Sequence, residues 1–166
     1  MYMLSKQRRP VWLRVIREVY FFFERPVMKT YFWLYRPETK GVKSLIFNDN
    51  RLLLVRLGYA HRKWVLPGGK VDSGEELAAA AKRELQEESG LVVEQLEQCG
   101  SLYNEAHYKK NTIYYFYGVS DSDNLVIDDQ EIVDAGWFSL DALPKNSAPK
   151  VQQEIELYNK WKYANK

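Results

Sequence analysis

"LPGGKVDSGEELAAAAKRELQEESGL", residues 66–91, decides the fold. Leu77, Ala80, Ala81 and Leu85 share one helical face, and the small alanines allow close approach to a sheet. Ser73 and Glu76 are spaced as a capping box and Gly90 is a C-terminal stop, which predicts a helix over 75–89. That helix gathers Glu84, Glu87 and Glu88 into one sector of about 100°. Like charges three and four residues apart repel. A hard divalent cation would neutralise them, because Mg²⁺ and Mn²⁺ prefer oxygen ligands and Mg²⁺ shares its shell with water and substrate phosphates. Gly68 and Gly69 lack a Cβ, so the backbone turns tightly there and brings a carbonyl close to a ligand. A glycine carbonyl beside the carboxylates would complete a metal's oxygen shell. Metals and loop together suit an electrophile rich in anionic oxygen, a phosphate or pyrophosphate. Three glutamates alone are better read as a solvated face of an alanine-rich helix.

Outward from this stretch the chain alternates strands and helices. "GVKSLIF" and "RLLLVRL" flank the turn signal "NDN", so 42–47 and 51–57 read as a hairpin. "GYAHRKW" reads as a loop. "LVVEQLEQCGSLY", "NTIYYFYGVS" and "DAGWFSL" are rich in β-branched and aromatic residues and read as strands. Ser147 and Pro149 open a last helix that buries Val151, Ile155, Tyr158 and Trp161. A mixed sheet with helices on both faces is the economical architecture. Before residue 41 the pattern differs. Trp12, Val15, Ile16, Val19, Tyr20 and Phe23 share a face between Pro10 and Pro26, which predicts an amphipathic helix. Two roles suit it: packing on the domain or in a homodimer, or weak contact of residues 10–26 with a membrane surface.

Bulk properties set the class. The 166 residues suffice for one domain with a sizeable core. Lys plus Arg number 24 against 22 for Asp plus Glu, and a net charge of +2 makes no case for specific nucleic-acid binding. The basic surplus is concentrated in residues 1–43. Cys99 is alone, so it forms no intrachain disulfide and reads as a buried, inert thiol. No uncharged apolar run approaches the ~20 residues that cross a bilayer. The expectation is a cytoplasmic protein, with peripheral membrane contact only through the N-terminal helix.

The full spacing is far more specific than the glutamates. Gly69, five residues, Glu75, seven residues, then Arg83-Glu84-Leu85-Gln86-Glu87-Glu88-Ser89-Gly90-Leu91 matches the Nudix box at every defined position. With each fixed residue near one in fifteen and each apolar position near one in three, a chance match is about one in ten million. The chain resembles the Nudix hydrolase family over this box. The surrounding order resembles that fold from about 41 to 163, with residues 1–40 outside it. The resemblance implies an α/β/α sandwich, divided as an N-terminal extension over 1–40 and a Nudix domain over 41–166.

It also implies an activity: Mg²⁺- or Mn²⁺-dependent cleavage of a nucleoside diphosphate linked to another moiety. By similarity Glu84, Glu87 and Glu88 are metal ligands, joined by the Gly68 carbonyl, and Glu75 and Arg83 form a salt bridge that orients the site. A further carboxylate is expected before a late tryptophan. Of Asp128, Asp129, Glu131 and Asp134, we favour Glu131, six residues before Trp137, with either Glu87 or Glu131 as the base. The alternatives are a catalytically silent nucleotide-binding regulator and a membrane-peripheral hydrolase of a lipid-linked diphosphate. Substrate identity is barely written in the sequence. Arg56 is a candidate phosphate contact, and Trp64 and Tyr108 are candidate base-stacking residues. His61 and His107 are isolated and carry no reading.

Overall fold

The computed structural model describes residues 38–58, 63–106, 109–127 and 131–165. The helix expected over 10–24, and with it Tyr108, Asp128, Asp129, His61 and His107, lie outside the described residues. By its contacts the chain divides into two compact units, Met1–Glu38 with Glu105–Lys110, and Thr39–Asn104 with Asn111–Lys166. The second holds the two helices found among the described residues and the core described below.

The hairpin forms as its turn signal requires. Strand β1 (Glu38–Asn48) and strand β2 (Arg51–Leu57) are antiparallel, and Asp49 and Asn50 adopt the positive φ of 47° and 63° that a two-residue turn needs. Strands β3 (Trp64–Val65), β4 (Glu97–Ala106), β5 (Lys109–Val119) and β6 (Ile132–Ser139) complete a mixed sheet ordered β3-β2-β1-β5-β4, with β6 also on β2. β6 runs along one edge of β2 from Arg51↔Ser139 to Leu57↔Ile132, while β1 and β3 share the other edge. Trp64, expected in a loop, instead pairs with Arg56.

Helices cover both faces, which is why Leu52 to Val55 are all buried rather than alternating with polar residues. Helix α1 (Leu77–Ser89) packs Ala80, Ala81 and Leu85 against Val42, Ile46, Leu53 and Phe116. Helix α2 (Pro149–Ala164) packs Val151, Ile155 and Tyr158 against Leu45, Leu52, Leu54, Leu66, Cys99 and Tyr115. Consecutive strand residues such as Leu53 and Leu54 thus serve opposite layers. Each fully buried leucine contributes about 1.5–3 kcal/mol. Cys99 is buried as expected, and its surroundings push the thiol up to about 11.

The start of α1 differs from the sequence reading. The helix begins at Leu77 with Glu76 at the N-cap, and no side chain caps it. Glu75 explains why. Its N–H donates to Asp72 O at 3.1 Å, and its carboxylate accepts the Asp72 N–H at 3.0 Å, closing a turn before the helix starts. The C-terminal stop forms as predicted: Gly90 sits at φ 73° and its N–H reaches Gln86 O at 2.8 Å.

Candidate active site

The glycine loop is stitched to β1. Val42 N–H donates to Gly69 O at 2.9 Å, Ser44 N–H to Pro67 O at 2.9 Å, and Val71 N–H to Lys40 O at 3.0 Å. The fit leaves no room for a side chain at Gly68. Its φ is +141°, and a Cβ would lie 2.1 Å from Val42 O. Held this way, the Gly68 N–H donates to Glu88 Oε2 at 2.7 Å. Gly69 lies against Glu84, whose carboxylate atoms would be 2.4–2.6 Å from an added Cβ. The loop therefore touches two of the three box carboxylates through atoms that only glycine leaves accessible.

Arg83 answers the repulsion on α1. Its Nε and Nη2 donate to the two Glu75 oxygens at 2.9 and 3.0 Å, a paired geometry suited to carboxylate. Nη1 donates to Glu84 Oε1 at 2.8 Å and Glu87 Oε2 at 3.1 Å, and Nη2 also reaches Lys70 O at 3.1 Å. One guanidinium thus links loop, turn and helix. Arg83 and the Asp72 amide hold the Glu75 carboxyl below the usual range.

Glu84 and Glu88 shift upward. Burial raises Glu84 despite the Arg83 contact, with Glu87 and Glu75 adding like charge. Glu88 is pushed up to about 7, chiefly by burial, with Glu84 and Glu131 opposing its charge and the Gly68 amide and Lys43 favouring it. Glu131 reaches this neighbourhood because its carbonyl accepts the Gly58 N–H at 2.8 Å, extending the β6 ladder past the end of β2. Among the described residues no three carboxylates are already gathered as a metal cage. Glu84 and Glu87 are turned to Arg83, and Glu88 to Gly68. The donors nonetheless fit a hard cation in kind, being all oxygen, and Glu88 is crowded by negative neighbours that added positive charge would relieve.

Arg56 and Trp64 fall elsewhere. Both lie on the α2 face, where the Arg56 guanidinium stacks 5.6 Å from the Trp64 ring centroid and pairs with Asp134 at 2.8 Å. Trp64 meets Phe138 edge-on at 4.8 Å. Two residues near the site escaped the sequence reading. Lys43 acts on Glu88, and its Nζ donates to the wholly buried Glu154 at 2.9 Å. Periodicity carried the signal: 43, 45 and 47 alternate on one strand face, and 151, 154, 155 and 158 form a helical stripe.

Known proteins resemble this chain in sequence and in fold. The NUDIX domain profile matches residues 37–160. The NAD-capped RNA hydrolase NudC of Citrobacter koseri is 37% identical over 96 residues, 58% of this chain but 37% of that protein. The oxidized purine nucleoside triphosphate hydrolase of Mus musculus is 32% identical over 102 residues, 60% of this chain and 65% of that one. The crystal structure of the MutT NUDIX hydrolase from Burkholderia pseudomallei superposes with a TM-score of 0.65 at 26% identity, covering 72% of this chain and 97% of that one. The profile, the box and the fold agree: the chain belongs to the Nudix hydrolase family.

Proposed function

We propose that this chain is a metal-dependent pyrophosphohydrolase, cleaving a nucleoside diphosphate linked to another moiety. Nucleoside triphosphates, nucleotide sugars, ADP-ribose and dinucleoside polyphosphates are the substrate candidates. The observation that carries the reading is the contact of Gly68 and Gly69 with Glu88 and Glu84, because it sets the box carboxylates beside a backbone loop that a phosphate chain can approach. The relatives named above act, by their names, on NAD-capped RNA and on oxidized purine nucleoside triphosphates, both of which contain such anhydrides.

In this reading Glu84, Glu87 and Glu88 hold Mg²⁺ or Mn²⁺, with the Gly68 carbonyl beside them. The cation supplies charge neutralisation at the phosphates and makes water more acidic. Glu87, exposed and held only at 3.1 Å by Arg83, takes the proton of the attacking water, or Glu131 does so from the end of β6. Arg83 and Glu75 fix the loop against the helix while Glu84 and Glu87 exchange one cationic partner for another. The fold's carboxylates suffice, and no covalent enzyme intermediate is required.

The test is phosphate release, after coupling to a phosphatase, across those substrates with and without Mg²⁺ or Mn²⁺. Metal-dependent turnover concentrated on one class is expected. A folded sample that is silent on the whole panel overturns the reading.

A further inference from the structure

Glu154 sits where an apolar residue would serve packing better. It lies between Val151 and Ile155 on the α2 stripe and is 0% exposed. Its Oε1 accepts hydrogen bonds from Lys43 Nζ at 2.9 Å and from the Tyr115 hydroxyl at 3.1 Å, while Oε2 meets no donor among the described residues. A buried ion pair is often no more stable than well-packed apolar groups of similar volume. A buried oxygen without a donor adds to that penalty. Stability alone therefore gives no reason for the network.

Lys43 supplies one. Its side chain is 20% exposed and lines a cleft of about 350 Å³ together with Lys40, Lys70, Gly68, Asn111 and Ile113. Its Cα would lie 2.7 Å from a Cβ on Gly68, the same residue whose amide donates to Glu88. Gly68 thus contacts both the Glu88 carboxylate and the backbone of Lys43. Lys40 and Lys70 add positive charge at the cleft and attract anions toward it.

We propose that Lys43 binds a phosphoryl oxygen of the substrate in this cleft, next to the scissile linkage, and that Glu154 is a positioning residue which, with Tyr115, holds the ammonium there. One of the three ammonium donors is spent on Glu154, which leaves the others for a ligand. A free lysine loses much rotamer freedom when it grips an anion; a tethered one has already lost it. The identity of the ligand as a nucleotide phosphate rests on the hydrolase reading above, whereas the anion-binding character of the cleft does not.

Lys43→Met alone leaves Glu154 buried without its cationic partner, so loss of folding is the expected result and is uninformative about binding. The decisive variant is Lys43→Met/Tyr115→Phe/Glu154→Met, which replaces the network with apolar groups and is expected to fold. For the preferred nucleotide its KM should rise about tenfold or more with kcat little changed, and Glu154→Gln should show a smaller rise. A folded triple variant with the wild-type KM overturns the inference. A second arm is independent of turnover: inorganic pyrophosphate titrated calorimetrically in EDTA should bind the triple variant about tenfold more weakly than wild type. Equal binding, or none by wild type, overturns the cleft. If wild type hydrolyses nothing but this binding contrast holds, the hydrolase reading falls alone.

Discussion

Helices α1 and α2 press apolar stripes onto opposite faces of one sheet, and each carries carboxylate into its packing, but they satisfy it differently. On α1, Glu88 takes a backbone amide at 2.7 Å, and Glu84 and Glu87 share a guanidinium whose side chain is 31% exposed. On α2, Glu154 takes a lysine and a tyrosine hydroxyl and is itself wholly buried. Exposure sets what each can do. Carboxylates at a helix edge, reachable from solvent and sharing one guanidinium, can change partners. A carboxylate inside the stripe cannot, and serves to hold something else in place.

The contrast can be broken most forcefully at Glu87. Glu87→Gln is expected to fold normally, since the side chain is 59% exposed, and to lose at least ~100-fold in Mg²⁺-dependent turnover. Steady-state kinetics with a thermal melt checks both; near-normal turnover removes Glu87 from the chemistry. Next comes Gly68→Ala. The added Cβ would meet Val42 O at 2.1 Å in a backbone conformation alien to alanine, so denaturant unfolding should show a loss of about 3 kcal/mol.

Titration sharpens the comparison further. Glu88 is lifted from 4.5 to about 7 in the fold, so its neutral form is the one the fold favours. That contribution is complete below about pH 4.5 and disappears as pH rises through 7. In EDTA, the melting temperature of wild type relative to Glu88→Gln should therefore fall between those limits, on the order of 2 kcal/mol in stability. A parallel pair of profiles would refute it. The smallest effect is expected at Asp134→Ala, where the Arg56 pair is 33% and 44% exposed; the loss should stay under about 1 kcal/mol in a chemical melt.

How much of this was legible in the sequence differs residue by residue. The spacing of Arg83, Glu84, Glu87 and Glu88 survives translation into structure because helix geometry is rigid, and the same holds for strand parity in Leu52 to Val55. The pairing of Arg83 with Glu75 followed from family resemblance, and its reach to Glu84, Glu87 and Lys70 depended on side-chain directions that spacing does not specify. The capping box failed because Glu75 closed a turn first, a competition between two local hydrogen-bond schemes. Glu154 was passed over because a charged residue in an apolar stripe reads as noise until its partner is found 111 residues away.

The three backbone bonds joining Pro67, Gly69 and Val71 to β1 carry a last consequence. They make the glycine loop an extension of the sheet's own ladder, so its stiffness is inherited from the core rather than conferred by a ligand. A substrate arriving there meets a floor already frozen in shape, and little of its binding free energy is diverted to ordering the chain beneath it.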